Sequence, residues 1–198
     1  MMNYVEDLVK RYPELSGCAD SVRKVIDAIV DCHKNGGKIL LCGNGGSAAD
    51  CEHISGELLK GFLKKRPYPT GDPDFCDLQQ GIAAIPLTSL SASLSAFAND
   101  VDPDQCYAQL TGALGKCGDV FVGISTSGNA KNGAAAARVA KKLGLKTVAL
   151  TGEGGGALYD ICDITIRVHE RETYKIQELH LPVYHAICAQ CEEDIYGA

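Results

Sequence analysis

The chain has 198 residues, enough for one sizeable α/β core, and no shift in composition marks a second domain within residues 1–198. Nineteen Lys and Arg against 25 Asp and Glu give a net charge of −6, which argues against broad electrostatic attraction to nucleic acid or an acidic membrane surface. No apolar run approaches the length of a membrane span and no leader pattern opens the chain, so a soluble, cytoplasmic protein is expected.

Two amphipathic segments, about Asn3 to Arg11 and Gly17 to Asn35, read as N-terminal helices separated by Pro13 and ended by Gly36 and Gly37. Lys38 to Cys42 reads as a buried strand, Gly43 to Ser47 as a tight loop and Ala48 onward as a helix. Three prolines and the basic run Lys64-Lys65-Arg66 then predict an exposed, solvated loop, with substitute cations for a ligand as the other reading of that run. A second strand is expected over Gly81 to Thr88, a short helix over Ser89 to Ala98, a polar turn over Asn99 to Pro103 and a helix near Gln105 to Leu114. Asp119 to Ile124 reads as a strand, Ala134 to Leu143 as a helix and Lys146 to Leu150 as a strand, before a glycine-rich loop from Gly152 to Gly156. Asp163 to Val168 is the last predicted strand, and Glu172 to Tyr196 the last helix, with a kink expected at Pro182. Strands alternating with helices imply crossover connections and a mostly parallel sheet covered on both faces, with ligands at the carboxyl ends of its strands.

Two strand-to-helix corners carry the chemistry of this pattern. Gly43-Asn44-Gly45-Gly46-Ser47 and Ser125-Thr126-Ser127-Gly128-Asn129 each place hydroxyls and backbone N–H groups at a helix start, where the orphan donors and the helix dipole stabilise an anion. A capped strand-to-helix loop has a similar composition, but two such corners at one sheet edge converge on one ligand. Neither is a Walker A sequence and the first lacks dinucleotide glycine spacing, so a nucleotide is not the first reading. His53 and Glu57 share a helix face four residues apart, as a solvated pair or as site residues; Gln177 and His185 form a second polar set among apolar neighbours. The ten cysteines lie mainly in apolar patterns, as small buried thiols in a reducing compartment do, and the lone C-x-x-C of Cys188 and Cys191 reads as helix packing.

With these residues in place, the chain resembles the phosphoheptose isomerases, SIS (sugar isomerase) domain proteins, along nearly its whole length. The matching stretches are Cys42 to Ser47 with His53 and Glu57, then Asn99-Asp100, Ser125 to Asn129, Leu150-Thr151-Gly152, and Ile176-Gln177-Glu178-Leu179-His180 followed by His185. The resemblance implies one SIS domain: a three-layer αβα sandwich of flavodoxin-like type, with a mostly parallel five-stranded sheet and N-terminal helices. It implies conversion of sedoheptulose 7-phosphate to glycero-manno-heptose 7-phosphate through an enediol, in a homotetramer with active sites between subunits. The family's base and acid fall on Glu57 and His185, and its zinc ligands on His53, Glu57, Gln177 and His185. Phosphate binding falls on Ser47, Ser125, Thr126 and Ser127 beside the backbone of Gly45 and Gly46; sugar contacts fall on Asn44, Asn99 and Asp100.

Three departures from the family pattern stand out. Gly61 occupies a position where the family commonly has arginine, Ala130 replaces a serine, and the loop from Lys64 to Gln80 is longer than in a typical member. Isomerisation of another phosphosugar is the first alternative they raise. A non-catalytic phosphosugar sensor or a regulator of a replication-initiation protein on the same fold is the second.

Overall fold

The computed structural model describes residues 2–197 and shows five parallel strands in the order β2-β1-β3-β4-β5. The strands are β1 (Ile39–Gly43), β2 (Ala84–Pro86), β3 (Val120–Ile124), β4 (Lys146–Thr151) and β5 (Ile164–Arg167). Period-two alternation divides their side chains between two cores: Ile39, Leu41, Val120 and Val122 face one side, and Leu40, Cys42 and Phe121 the other. The first core is closed by α1 (Tyr4–Arg11), α2 (Ala19–Lys34), α3 (Gly46–Leu59) and α8 (Thr173–Tyr196). The second is closed by α5 (Cys106–Leu114), α6 (Lys131–Lys142) and α7 (Gly156–Ile161). The three expected layers are therefore present, and the sheet order reverses between β1 and β3, the place where such sheets bind ligands.

Several predicted boundaries move. The second strand shortens to Ala84–Pro86 because Leu87–Ser89 turns into a 3₁₀ segment; Gly81, outside the strand, sits so close to the Leu59 carbonyl that a Cβ would stand 2.5 Å from it. Asn99 and Asp100 lie not in a turn but in the last turn of α4 (Ser91–Asp100). Helices α3 and α6 start two and three residues earlier than expected, and α7 follows the glycine-rich loop where no helix is predicted. The expected kink does not interrupt α8, which runs as one helix through buried Pro182, where the missing N–H leaves the Glu178 carbonyl without its intrahelical donor.

The basic run is only partly a solvated loop. Arg66 is 1% exposed, donates from Nε to Glu192 Oε1 at 2.7 Å and from Nη1 to the Leu58 carbonyl at 2.9 Å, and lies over the Tyr196 ring. Glu192 also accepts the N–H groups of Phe62, Leu63 and Lys64 at 2.7–3.0 Å, while Lys64 pairs with Glu193 at 2.5 Å. Two of the three cations thus pin the loop to α8 instead of reaching for a ligand; Lys65 is exposed. Seven of the ten cysteines are buried, Cys188 and Cys191 among them, and all ten are free thiols. Among the described residues no helix is long and apolar enough to cross a membrane.

Candidate active site

Parallel register places Gly43, the last residue of β1, beside Ile124, the last of β3, so the two hydroxyl corners leave the sheet as neighbours. Glycine is needed on the first corner, where Gly45 has φ +56°; on the second, Gly128 has φ +68° and a Cβ there would overlap the Gly155 carbonyl oxygen. The second corner is therefore interlocked with the start of α7, which donates Leu158 N–H to Gly128 and Ala157 N–H to Asn129 Oδ1, both at 3.0 Å. Ser47 and Ser125 are buried, Thr126 is half-buried and Ser127 is exposed. The N–H groups of Gly45, Thr126 and Ser127 have no acceptor among the described residues, which leaves donors for an anion.

Asn44 does not hang free. Its amide exchanges two hydrogen bonds of 3.0 Å with the amide of Asn132, at the start of α6, and this pair ties the first corner to the second crossover. Sequence reasoning missed Asn132; its place three residues beyond Asn129, the end of the hydroxyl run, was the available signal. Gln177, near the start of α8, reaches the first corner: a Cβ on Gly46 would stand 2.5 Å from Gln177 Nε2, so the amide of Gln177 lies directly against the corner. Asn99 bonds to Asp100 at 2.8 Å, and neither side chain forms a hydrogen bond to the two corners.

His53, Glu57 and His185 converge at the other end of α3's exposed face. His53 Nε2 lies 3.2 Å from Glu57 Oε1 and 3.3 Å from His185 Nε2, and one ligand atom from each residue falls within 4.8 Å of the others. Phe62 packs over His185 with ring centroids 5.6 Å apart, and burial lowers the His185 pKa below its ordinary value of 6.5, with neighbouring His53 adding to the effect. Lys60 Nζ stands 3.5 Å from Glu57 Oε2. His180, on α8 between Gln177 and His185, is fully buried and brought down to about 4, so it stays neutral at pH 7. A cleft of about 250 Å³ between α1, Phe62 and α8 opens on His185. The larger cavity of about 520 Å³ lies elsewhere, beside Arg167 and Tyr159 at the β5 edge.

Gly61 is explained by the loop that follows it. Its N–H donates to Gln79 Oε1 at 2.7 Å, and a Cβ would overlap the Lys64 carbonyl oxygen. An arginine at this position requires the chain to refold from residue 61 to 64. Gly61→Arg is therefore expected to destabilise the protein by about 1–3 kcal/mol through overpacking, measured as a lower urea midpoint, without improving turnover of any ketose phosphate. Ala130, the residue before α6, offers no capping hydroxyl.

A doubly wound sheet with a hydroxyl and N–H cradle at its switch point, and a carboxylate–imidazole cluster on the adjoining helices, defines an α/β protein suited to an anionic ligand that undergoes proton transfer. Residues 3–152 match the SIS domain family. The chain is 41% identical over 177 residues to the phosphoheptose isomerase of Burkholderia pseudomallei, covering 89% of this chain and 83% of that protein. It is 34% identical over 195 residues to that of Akkermansia muciniphila, covering 98% and 96%. The solved phosphoheptose isomerase of Neisseria gonorrhoeae superimposes with a TM-score of 0.80 at 32% identity, over 95% of this chain and 94% of that one. The chain belongs to the SIS domain family and, within it, to the phosphoheptose isomerases.

Proposed function

We propose that the chain, as one SIS domain, interconverts sedoheptulose 7-phosphate and D-glycero-D-manno-heptose 7-phosphate. The observation that carries the proposal is the His53, Glu57 and His185 cluster on α3 and α8, the two helices that also close on the Gly45–Ser47 corner. The named relatives supply the substrate class.

The reaction takes a proton from the carbon beside a carbonyl and returns it to the neighbouring carbon through an enediol. Glu57 suits the carbon-to-carbon transfer, with one carboxylate oxygen against His53 and the other near Lys60. His185 suits proton movement between the two oxygens, since burial favours its neutral form, which both accepts and donates. Ser47, Ser125, Thr126 and Ser127, with the free N–H groups of their turns, hold the phosphate, while Asn44, Asn99 and Asp100 are the proposed sugar contacts.

Two imidazole nitrogens and a carboxylate oxygen converging within 4.8 Å fit a divalent ion of the zinc type, with Gln177 as a proposed fourth ligand. Such an ion, when bound, supplies positive charge beside the enediolate. The proposal extends to a cytoplasmic homotetramer. In the single chain α4 buries no residue fully and the adjoining Val101 is 68% exposed, which a partner copy would cover.

Incubation with sedoheptulose 7-phosphate in deuterium oxide tests the reading: deuterium is expected at the carbon beside the carbonyl, with no exchange into the unphosphorylated ketose at equal concentration. Binding of the phosphosugar without exchange would make the chain a sensor. Exchange confined to five- or six-carbon ketose phosphates would move it out of the heptose branch.

A further inference from the structure

Behind the candidate metal ligands lies a pair of side chains that neither the sequence motifs nor the comparisons assign. Asp50, His53 and Glu57 are spaced three and four residues apart, so all three lie along one side of α3. Tyr184 precedes His185 on α8 and is 2% exposed; adjacent helical positions point about 100° apart, so Tyr184 turns into the α3 contact while His185 faces the cleft. The Tyr184 hydroxyl stands 3.0 Å from His53 Nδ1 and 3.3 Å from Asp50 Oδ1.

A phenolic hydroxyl has one proton to give, and two acceptors compete for it here. If it went to His53 Nδ1, the Asp50 carboxylate would face an oxygen lone pair, while its other oxygen, Oδ2, is already buried without a partner. If it goes to Asp50, the phenolic oxygen accepts from His53 Nδ1–H, and both contacts are satisfied. His53 Nε2 then carries a lone pair, at the position that faces Glu57 and His185. The hydrogen bond made by one ring nitrogen of a histidine sets what the other nitrogen can do.

We infer that Tyr184, oriented by Asp50, is a positioning residue that holds His53 in its Nδ1–H tautomer and so presents Nε2 as a lone-pair donor to a divalent cation. The role of Nε2 rests on the metal reading given above; the tautomer does not. Without the hydroxyl, the preferred partner for an imidazole N–H is Glu57 Oε1, 3.2 Å from Nε2, and that arrangement places a proton where the cation would bind.

The test uses the full chain labelled with ¹⁵N-histidine and freed of metal by a chelator, with long-range ¹H–¹⁵N correlation to report which nitrogen of His53 carries the proton. The parent is expected as Nδ1–H. Tyr184→Phe, which keeps the ring, is expected to shift His53 toward Nε2–H and to weaken zinc(II) binding about tenfold or more in competition with a chromophoric chelator. Asp50→Asn, whose amide donates to the phenolic oxygen and turns its proton toward His53, is expected to give the same tautomer change and covers the case in which the phenylalanine variant does not fold. A parent His53 already in the Nε2–H form, or variants that leave both tautomer and zinc affinity unchanged, would overturn the inference. A parent that binds no zinc but shows the tautomer change upholds the positioning role and overturns the metal reading alone.

Discussion

Glu57→Gln is expected to lower deuterium exchange into sedoheptulose 7-phosphate by about 10³-fold, the scale of a lost general base, while the phosphosugar still binds by calorimetry. The amide preserves the size of the side chain, and its N–H can donate to His53 Nε2, but it has no site for the transferred proton. The proposed phosphate cradle lies on the two corners and does not include residue 57, so binding has no reason to follow activity. Because Glu57 is also a proposed metal ligand, elemental analysis of parent and variant shows whether the loss follows the proton or the ion. Exchange at the parental rate would remove Glu57 from the role.

Arg66→Ala is expected to cost about 3–5 kcal/mol of stability, the range for breaking a buried ion pair by removing one partner, read as a lower denaturant midpoint. Glu192, 1% exposed in the parent, would keep only three N–H donors to meet its charge. Burial pushes the Glu192 carboxyl up, but the N–H groups of Phe62 and Leu63 and the Arg66 guanidinium outweigh burial and hold it below the usual 4.5. A depressed carboxyl pKa contributes stability that is present above 4.5 and is lost as pH falls through the folded-state value. The parent therefore loses this contribution on acidification, and the alanine variant, which lacks the ion pair, loses less of its remaining stability over the same interval. Equal midpoints for the two proteins at pH 7 would mean that the loop is held by its neck contacts, the Pro67–Gln79 bridge and the Gln80 bonds, without the ion pair.

Elements whose signal is local were legible in the sequence. Apolar runs ending in glycine-rich corners marked β1, β3 and β4, and the two corners marked the sheet edge that carries the cradle. Contacts made across the fold had no such signal. Arg66 reads as part of a basic loop until α8 brings Glu192 to it, 126 residues away. Asn132 lies just before the helix predicted from Ala134 and carries no signal of its own until β1 and β3 pair and set it against Asn44. Tyr184 belongs to no sequence motif, because its hydroxyl acquires meaning only when α3 lies against α8. The boundary errors share a cause: Leu87–Ser89 and Asn99–Asp100 have mixed propensities, and packing, not local pattern, decides whether they extend, turn or coil.

The cysteine-rich interior has a chemical consequence. A thiol attacks an oxidant or an alkylating reagent as the thiolate, and burial suppresses that form, raising Cys18 to about 11 and Cys188 to about 12. The protein thus carries buried sulfur as inert packing volume, while Cys76 and Cys117 face solvent. Cys76 sits one residue from the Pro73–Phe75 turn, in the loop that Arg66 and Lys64 fasten to α8. A spin label or fluorophore placed by ordinary thiol chemistry would therefore reach, without any engineered cysteine, the segment that Arg66 and Lys64 fasten to α8, with Cys117, in the connection between α5 and β3, as a second labelled position.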